Sequence, residues 1–324
     1  MKALVCREFG PVQSLVVMDV PAPTVAPGRV LIRVEAASVN YPDALLVQGK
    51  YQAKPELPFI PGSEVAGTVE AVGEGVTHVK SGNRALAFCG RGGFAEQVLV
   101  DGNATFALPA RVDTAAAAAM PLVYATSYHA LLDRARLKSG ETLLVLGAGG
   151  GVGSAAVELG KIMGATVIAA ASSQAKLDAA QRLGADQLID YSSGDFRAKL
   201  REVLGGRLID VVYDPVGGPY SEPALRSMAW EGRYLVVGFA AGEIPQIPLN
   251  LPLLKGCSIV GVFWGEFRRR FTARAAEELG QLVEWLREGK IRPQVSQRYP
   301  LSEGALALQS LLERSALGKL IIVP

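Results

Sequence analysis

Thr142-Leu143-Leu144-Val145-Leu146-Gly147-Ala148-Gly149-Gly150-Gly151-Val152-Gly153 decides the fold of this chain. A short, largely apolar run enters a loop in which five of the seven positions from 147 to 153 are glycine, and a helical pattern follows to about Met163. Such a succession reads as strand, tight turn and helix. Glycine lets backbone N–H groups approach a pyrophosphate closely, and a helix N-terminus adds a favourable positive potential. The matching frame is Ala148-x-Gly150-x-x-Gly153, with alanine in the first glycine position. Glycine-rich turns also occur without ligands, so this one takes its meaning from its surroundings.

Working outward, the alternation repeats. Apolar runs at 166–170, 187–189, 208–213, 233–237 and 257–262 are separated by helical segments, one through Leu177, Ala180 and Leu183, others near 196–204 and 223–229. Alternating strands and helices imply a doubly wound parallel sheet with right-handed crossovers. The first 110 residues differ: short strands are expected at 3–6, 30–39, 64–72 and 95–100, and Pro21, Pro23, Pro27, Pro55, Pro58 and Pro61 exclude long helices. A short helix is expected after Pro42, burying Ala44, Leu45 and Leu46. Near the C-terminus, Phe267, Phe271, Leu279, Leu282 and Leu286 fall on one face of a single helix ended by Gly289 and Pro293. Ser302 opens a last helix carrying Leu306, Leu311 and Leu312, before a final strand at 320–323.

A length of 324 residues suggests two domains at about 150 residues each. With 49% hydrophobic residues the chain can bury a large core, which excludes wholesale disorder. A net charge of +2 with no long run of one sign argues against a dedicated nucleic-acid or membrane-surface protein. Cys6, Cys89 and Cys257 form neither a Cys-x-x-Cys pair nor a disulfide framework, which suits a cytoplasmic location. The uncharged stretch 114–132 is nearly bilayer length, but Pro121 and its polar residues fit buried helices better than a span.

The second strand of the alternation selects the ligand. An NAD site places Asp or Glu about 20 residues beyond the loop, against the ribose 2′-hydroxyl. Here the chain reads Ala169-Ala170-Ala171-Ser172-Ser173-Gln174-Ala175-Lys176, with no acid before Asp178. Two hydroxyls and a lysine at a helix start suit a 2′-phosphate, so NADPH is the expected cofactor. Ser173 can also cap the next helix, and the two roles are compatible.

Gly140-Glu141-Thr142-Leu143-Leu144, the glycine loop and Lys161 together resemble the quinone oxidoreductase/zeta-crystallin family of zinc-independent medium-chain dehydrogenases/reductases, with Glu158 where glutamine is usual. Ser38-Val39-Asn40-Tyr41-Pro42-Asp43, Leu57-Pro58-Phe59-Ile60-Pro61-Gly62-Ser63-Glu64, Asp214-Pro215-Val216-Gly217-Gly218, Phe263-Trp264-Gly265 and Gly318-Lys319 extend the resemblance along nearly the whole chain. The resemblance implies an α/β protein in which a Rossmann doubly wound parallel sheet, residues 123–263, is inserted into a mainly-β GroES-like catalytic domain made of 1–122 and 264–324. Carried over by position, Ser173, Lys176 and Tyr191, with Ser172, face the 2′-phosphate, and Gly150, Gly151 and Val152 line the pyrophosphate. Gly238, Phe239, Phe263, Trp264 and Gly265 flank the nicotinamide, approached also by Asn40 and Thr126, and Lys319 joins the cofactor set. Relatives are commonly dimers or tetramers, so a homodimer is expected, with strand 257–262 as a candidate edge.

Zinc members of the superfamily would carry Cys at Asn40 and His at Ser63, and the cysteine cluster of a structural zinc lobe is missing from the sequence, so no metal site is expected. His78 and His129 read as loop or interdomain residues. Without a Lewis acid the resemblance implies hydride transfer from NADPH to an activated acceptor, a quinone or an enone. Tyr41, Tyr51 and Tyr124 are the candidate hydrogen-bond donors to the acceptor oxygen. Leu45 stands where some relatives have an active-site tyrosine. The alternatives are enone or enoyl reduction, or a non-catalytic NADPH-binding role with RNA, for which Arg268-Arg269-Arg270 is the one basic run.

Overall fold

A computed structural model describes residues 1–314 and 316–324. Its strands run β1 (Lys2–Val5), β2 (Val16–Asp19), β3 (Arg29–Val39), β4 (Glu64–Val72), β5 (Arg84–Phe88), β6 (Gln97–Asp101) and β7 (Thr105–Ala107). They continue as β8 (Thr142–Leu146), β9 (Thr166–Ala171), β10 (Gln187–Asp190), β11 (Ile209–Asp214), β12 (Met228–Val236), β13 (Ser258–Gly261), β14 (Val295–Pro300) and β15 (Lys319–Val323). Contacts divide the chain into two compact units, one formed by Met1–Leu122 with Leu279–Pro324, the other by Val123–Glu278. The second is therefore an insertion in the first, and the fold is a Rossmann sheet inserted into a mainly-β GroES-like domain.

The inserted unit holds a six-stranded sheet in the order β10-β9-β8-β11-β12-β13. All its pairings are parallel. Every residue of β8 is buried, as the interior of a parallel sheet requires. Strand order reverses between β8 and β11, and ligands of such sheets bind beyond the carboxyl ends of the strands at that point. The glycine loop follows β8, and residues 215–218 follow β11. At the opposite end Glu141 takes both Arg233 nitrogens, at 3.0 and 2.6 Å, and Arg233 also donates to Ala135 O at 2.8 Å.

In the other unit the order is β14-β15-β3-β4-β5-β7, with β6 also on β3. The C-terminal strand β15 runs antiparallel to β3, pairing Leu320 with Val39 and Ile321 with Ser38. The end of the chain thereby completes the sheet begun near its start, which brings Lys319 beside Asn40. Alternate residues of β3, including Val30, Ile32 and Val34, enter a core shared with Leu301 and Leu308. Arg84 binds the Pro109, Ala110 and Val112 carbonyls and so holds the chain leaving β7.

Several expectations need correction. The helix drawn through Phe267 to Leu286 is two helices, Trp264–Arg270 and Thr272–Glu288, and Phe271 at the break is exposed. The last helix is Gly304–Leu312, preceded by a single turn at Leu301–Glu303; it buries Ala307 and Leu308, while Leu306 faces solvent. Leu45 is only half-buried. The segment expected as a helix near 223–229 is Ser221–Arg226, and β12 already starts at Met228. The stretch 114–132 forms, as expected, two helices, Thr114–Ala118 and Pro121–Tyr128, before a π-helical turn at His129–Arg134. Among the described residues no helix is long and apolar enough to cross a membrane.

Candidate functional site

In the inserted unit, the loop after β8 is shaped by two close approaches. A Cβ on Gly153 would lie 2.1 Å from Gly147 O, so only glycine lets the helix Gly151–Ile162 begin directly on the end of the strand. A Cβ on Gly149 would lie 2.5 Å from the Lys176 side chain, so the stem of Lys176 covers the loop. Gly150 is the N-cap and has no side chain to satisfy the first-turn N–H groups, which leaves them for an anion. Beneath it, Ser127 Oγ donates to Val152 O at 2.9 Å and shares a 2.9 Å hydrogen bond with the buried Tyr213 hydroxyl. Gly150, Gly151 and Val152 thus form a cradle that any side chain at 149 or 153 would disturb.

Ser172 is exposed at the end of β9, and Lys176 Nζ lies 3.4 Å from its Oγ. Ser173 is the N-cap of the helix Gln174–Arg182 but makes no side-chain cap hydrogen bond. Its hydroxyl is therefore not consumed by the capping role that the sequence also allowed. Asp178 accepts from Gln174 within the same helix at 2.7 Å. The Tyr191 ring packs 4.4 Å from Tyr220 and edge-on to Phe196, so its ring face belongs to an aromatic cluster.

Asp214 closes β11, and its role is not legible from the sequence. Its buried carboxylate accepts from Val216 N at 2.7 Å, Gly217 N at 2.8 Å and Ser221 Oγ at 2.9 Å, and from the Tyr234 hydroxyl. Burial, reinforced by Asp214, drives the Tyr234 phenol far above its usual pKa, so it stays a donor. This knot fixes the loop that carries Gly217 and Gly218. Gly238 and Phe239 follow β12, while Phe263, Trp264 and Gly265 follow β13, so the sheet gathers them at one end. Phe239 and Phe263 are exposed, and Trp264 is buried. Thr126 is half-buried. Tyr124 is buried and donates to Glu158 Oε2 at 2.7 Å, which gives the glutamate at 158 a specific partner.

The GroES-like unit carries a second polar centre, composed of Asn40, Asp43, Glu64 and Lys319, all buried. Lys319 Nζ binds Glu64 Oε1 at 3.1 Å, Val39 O at 3.2 Å and the Asn40 side-chain oxygen. Asn40 Nδ2 donates to Glu64 Oε1 at 2.7 Å, and Leu122 N donates to Glu64 Oε2 at 2.6 Å. Asn40 N donates to Asp43 Oδ2 at 2.9 Å. Asn40 and Lys319 thus bind each other and Glu64. Only pairing of β15 with β3, which sequence periodicity does not reveal, unites Asn40, Asp43 and Glu64 with Lys319. Ser63 Oγ is buried without a hydrogen-bond partner. The positions of Asn40 and Ser63 do not fit zinc: they offer an amide and a hydroxyl, and the Lys319 ammonium already neutralises Glu64. Tyr41 and Tyr51 are half-buried, and burial, helped by Asp43, raises the Tyr51 phenol. In the inserted unit, Arg269 and Arg270 of the basic run both pair with Glu266.

A doubly wound sheet with this loop, inserted into a GroES-like unit, defines the medium-chain dehydrogenase/reductase class. Residues 26–110 match the alcohol dehydrogenase GroES-like domain, and residues 151–281 match the zinc-binding dehydrogenase family. The chain is 37% identical to the quinone oxidoreductase-like protein 2 homolog of Nematostella vectensis, covering 99% of this chain and 88% of that protein. A probable oxidoreductase from Mycobacterium abscessus superposes with a TM-score of 0.89 at 39% identity, covering 100% of this chain and 99% of that one. Escherichia coli quinone oxidoreductase complexed with NADPH superposes at 0.90 with 26% identity and full coverage of both chains. The chain belongs to the quinone oxidoreductase family of the medium-chain dehydrogenase/reductase superfamily, and so to the oxidoreductases.

Burial, opposed by the Asn40 N–H and reinforced by Glu64, raises Asp43 to about 7. A carboxyl with a higher pKa folded than unfolded binds more protons when folded, so its contribution to stability is full below about pH 4 and is lost as pH rises towards 7. Asp43→Asn keeps an acceptor for Asn40 N and removes that dependence. Urea midpoints at pH 5 and pH 8 should then differ less in the variant than in the unmodified protein; an equal difference would show that Asp43 is not the group responsible.

Proposed function

We propose that this chain is an NADPH-dependent oxidoreductase that reduces a quinone or a similar conjugated carbonyl acceptor without zinc. The observation that carries the reading is the pairing of the glycine cradle with Ser172, Ser173 and Lys176 at the adjoining strand end. Gly150, Gly151 and Val152 take the pyrophosphate on the helix N-terminus. Ser172, Ser173 and Lys176 take the 2′-phosphate, with Tyr191 at its edge. Gly238, Phe239, Phe263 and Gly265 border the nicotinamide with Thr126, while Trp264 supports them from the interior. Asn40 and Lys319 act as positioning residues through their tie to Glu64.

When bound, NADPH supplies a hydride. The side chains are left to orient the acceptor, exclude water and hydrogen-bond the oxygen on which negative charge develops. Tyr51, a neutral phenol at physiological pH, is the first candidate donor and Tyr41 the second. Tyr124 is the weakest of the three, since its proton is held by Glu158. An amide at Asn40 and a hydroxyl at Ser63, a donor set that does not suit zinc, fit acceptors already activated by conjugation.

We also propose that the chain works in the cytoplasm as a homodimer joined along β13. That strand is an edge of its sheet and exposes Ile259, and nearby in sequence Leu249, Leu253 and Leu254 are 83%, 77% and 72% exposed. Unpaired strand edges and large apolar patches are surfaces that a second copy covers.

Two measurements test these proposals. Lys176→Ala should raise KM for NADPH by about tenfold, the value of a hydrogen bond to a charged group, and leave KM for NADH unchanged. In the same assays Tyr51→Phe should lower kcat with quinones by about tenfold; equal effects of Lys176→Ala on both nucleotides, or unchanged turnover in Tyr51→Phe, would remove the assigned roles. Light scattering should give twice the 34.2 kDa chain mass for the unmodified protein and one chain mass for Ile259→Lys. A single-chain mass before mutation would rule out the homodimer.

A further inference from the structure

A second cluster, within the inserted unit and apart from the loop and the polar centre, consists of His129, Asp133 and Glu278. His129 and Asp133 lie on consecutive turns of the π-helical segment His129–Arg134, with Nδ1 2.6 Å from Asp133 Oδ2. Glu278 arrives from the helix Thr272–Glu288. One ligand atom from each of the three lies within 4.8 Å of the others. Their side chains are only 7%, 9% and 8% exposed. The imidazole is stacked on Phe267, with ring centroids 3.9 Å apart, so its orientation is fixed.

Hydrogen bonding is incomplete at this point. Neither carboxylate oxygen of Glu278 receives a hydrogen bond, although both are buried. Arg274 Nε lies 3.2 Å from Glu278 Oε1 without donating to it, and the same guanidinium reaches Asp133 Oδ1. One arginine therefore faces two buried carboxylates. Its own side chain is 57% exposed and can leave without opening the core. A buried carboxylate with unfilled oxygens is costly unless a cation completes it. One imidazole and two carboxylates converging within 4.8 Å make the donor set of a borderline-hard divalent site. π-Helical turns of this kind recur at functional sites.

We propose that His129, Asp133 and Glu278 bind a divalent cation of the zinc class, with Arg274 as the displaceable counter-ion that covers the site. This site is separate from Asn40 and Ser63, the positions at which zinc members of the superfamily would carry ligands. Occupancy ties the turn at 129–134 to the helix ending at Glu288. Its role is structural, since none of the three residues has a part in hydride transfer.

The test is titration of the chelator-treated full chain with Zn²⁺ alone by calorimetry, with Co²⁺ absorption as a second readout of the ligand set. Saturable binding at one ion per chain is expected. Both His129→Gln and Glu278→Gln should weaken it by about tenfold or more. Arg274→Gln, an exposed change that leaves the ligands in place, should strengthen it, and thermal melts identify any variant that does not fold. Three results would overturn the proposal: no saturable binding, binding unaffected by His129→Gln and Glu278→Gln in folded protein, or binding lost only when Cys89 or Cys257 is replaced by serine. Weaker binding in Arg274→Gln would overturn the counter-ion role.

Discussion

The approach of Gly153 to the carbonyl of Gly147 is the contact on which the nucleotide-binding end of this protein depends. A methyl group there would sit 2.1 Å from that oxygen, so the helix could not start where it does. Because it does, its unsatisfied N–H groups stand at the reversal of strand order, where the loops after β8 and β11 diverge. The Asp214 knot and the Ser127–Tyr213 pair then fix what surrounds the loop, each using buried hydrogen bonds that would be costly to break. Rigid support of this kind spares the protein the entropy of ordering a loop around the ligand.

The GroES-like unit solves a different problem. Where a zinc enzyme needs soft or imidazole ligands, this chain has Asn40 and Ser63, and the cation beside Glu64 is the ammonium of Lys319. The buried ion pair is complete only because the last strand returns to lie against β3. It connects the final residues of the chain to the start of the helix that carries Tyr41. A buried pair with this many hydrogen bonds is costly to break by removing one partner, so the cluster holds that helix start in one position.

Much of this was legible in the sequence, for identifiable reasons. Six parallel strands announce themselves because each is a short apolar run and most are followed by a helical pattern; the helix Asn250–Lys255 between β12 and β13 gives no such signal. The glycine loop is legible because close approach admits only one residue type. Helix breaks are harder to see: Phe271 keeps the helical spacing but lies at a kink and faces solvent, and Leu306 satisfies the same periodicity while Leu308 does the packing. The Asn40–Glu64–Lys319 centre unites residues up to 279 positions apart, and the His129–Asp133–Glu278 cluster joins two helices. Such groupings depend on which elements meet, a property that spacing along one chain does not carry. Tyr124 shows the converse: the sequence offers its phenol as a donor, but Glu158 holds its proton.

The proposed function rests on the cradle and the adjoining Ser172, Ser173 and Lys176 selecting a 2′-phosphorylated dinucleotide. The most direct measurement is the dissociation constant of the unmodified protein for NADPH and for NADH, determined side by side by calorimetry at one ionic strength. NADPH is expected to bind at least about tenfold more tightly, a difference of about 1.4 kcal/mol. Equal affinities, or tighter binding of NADH, would contradict it.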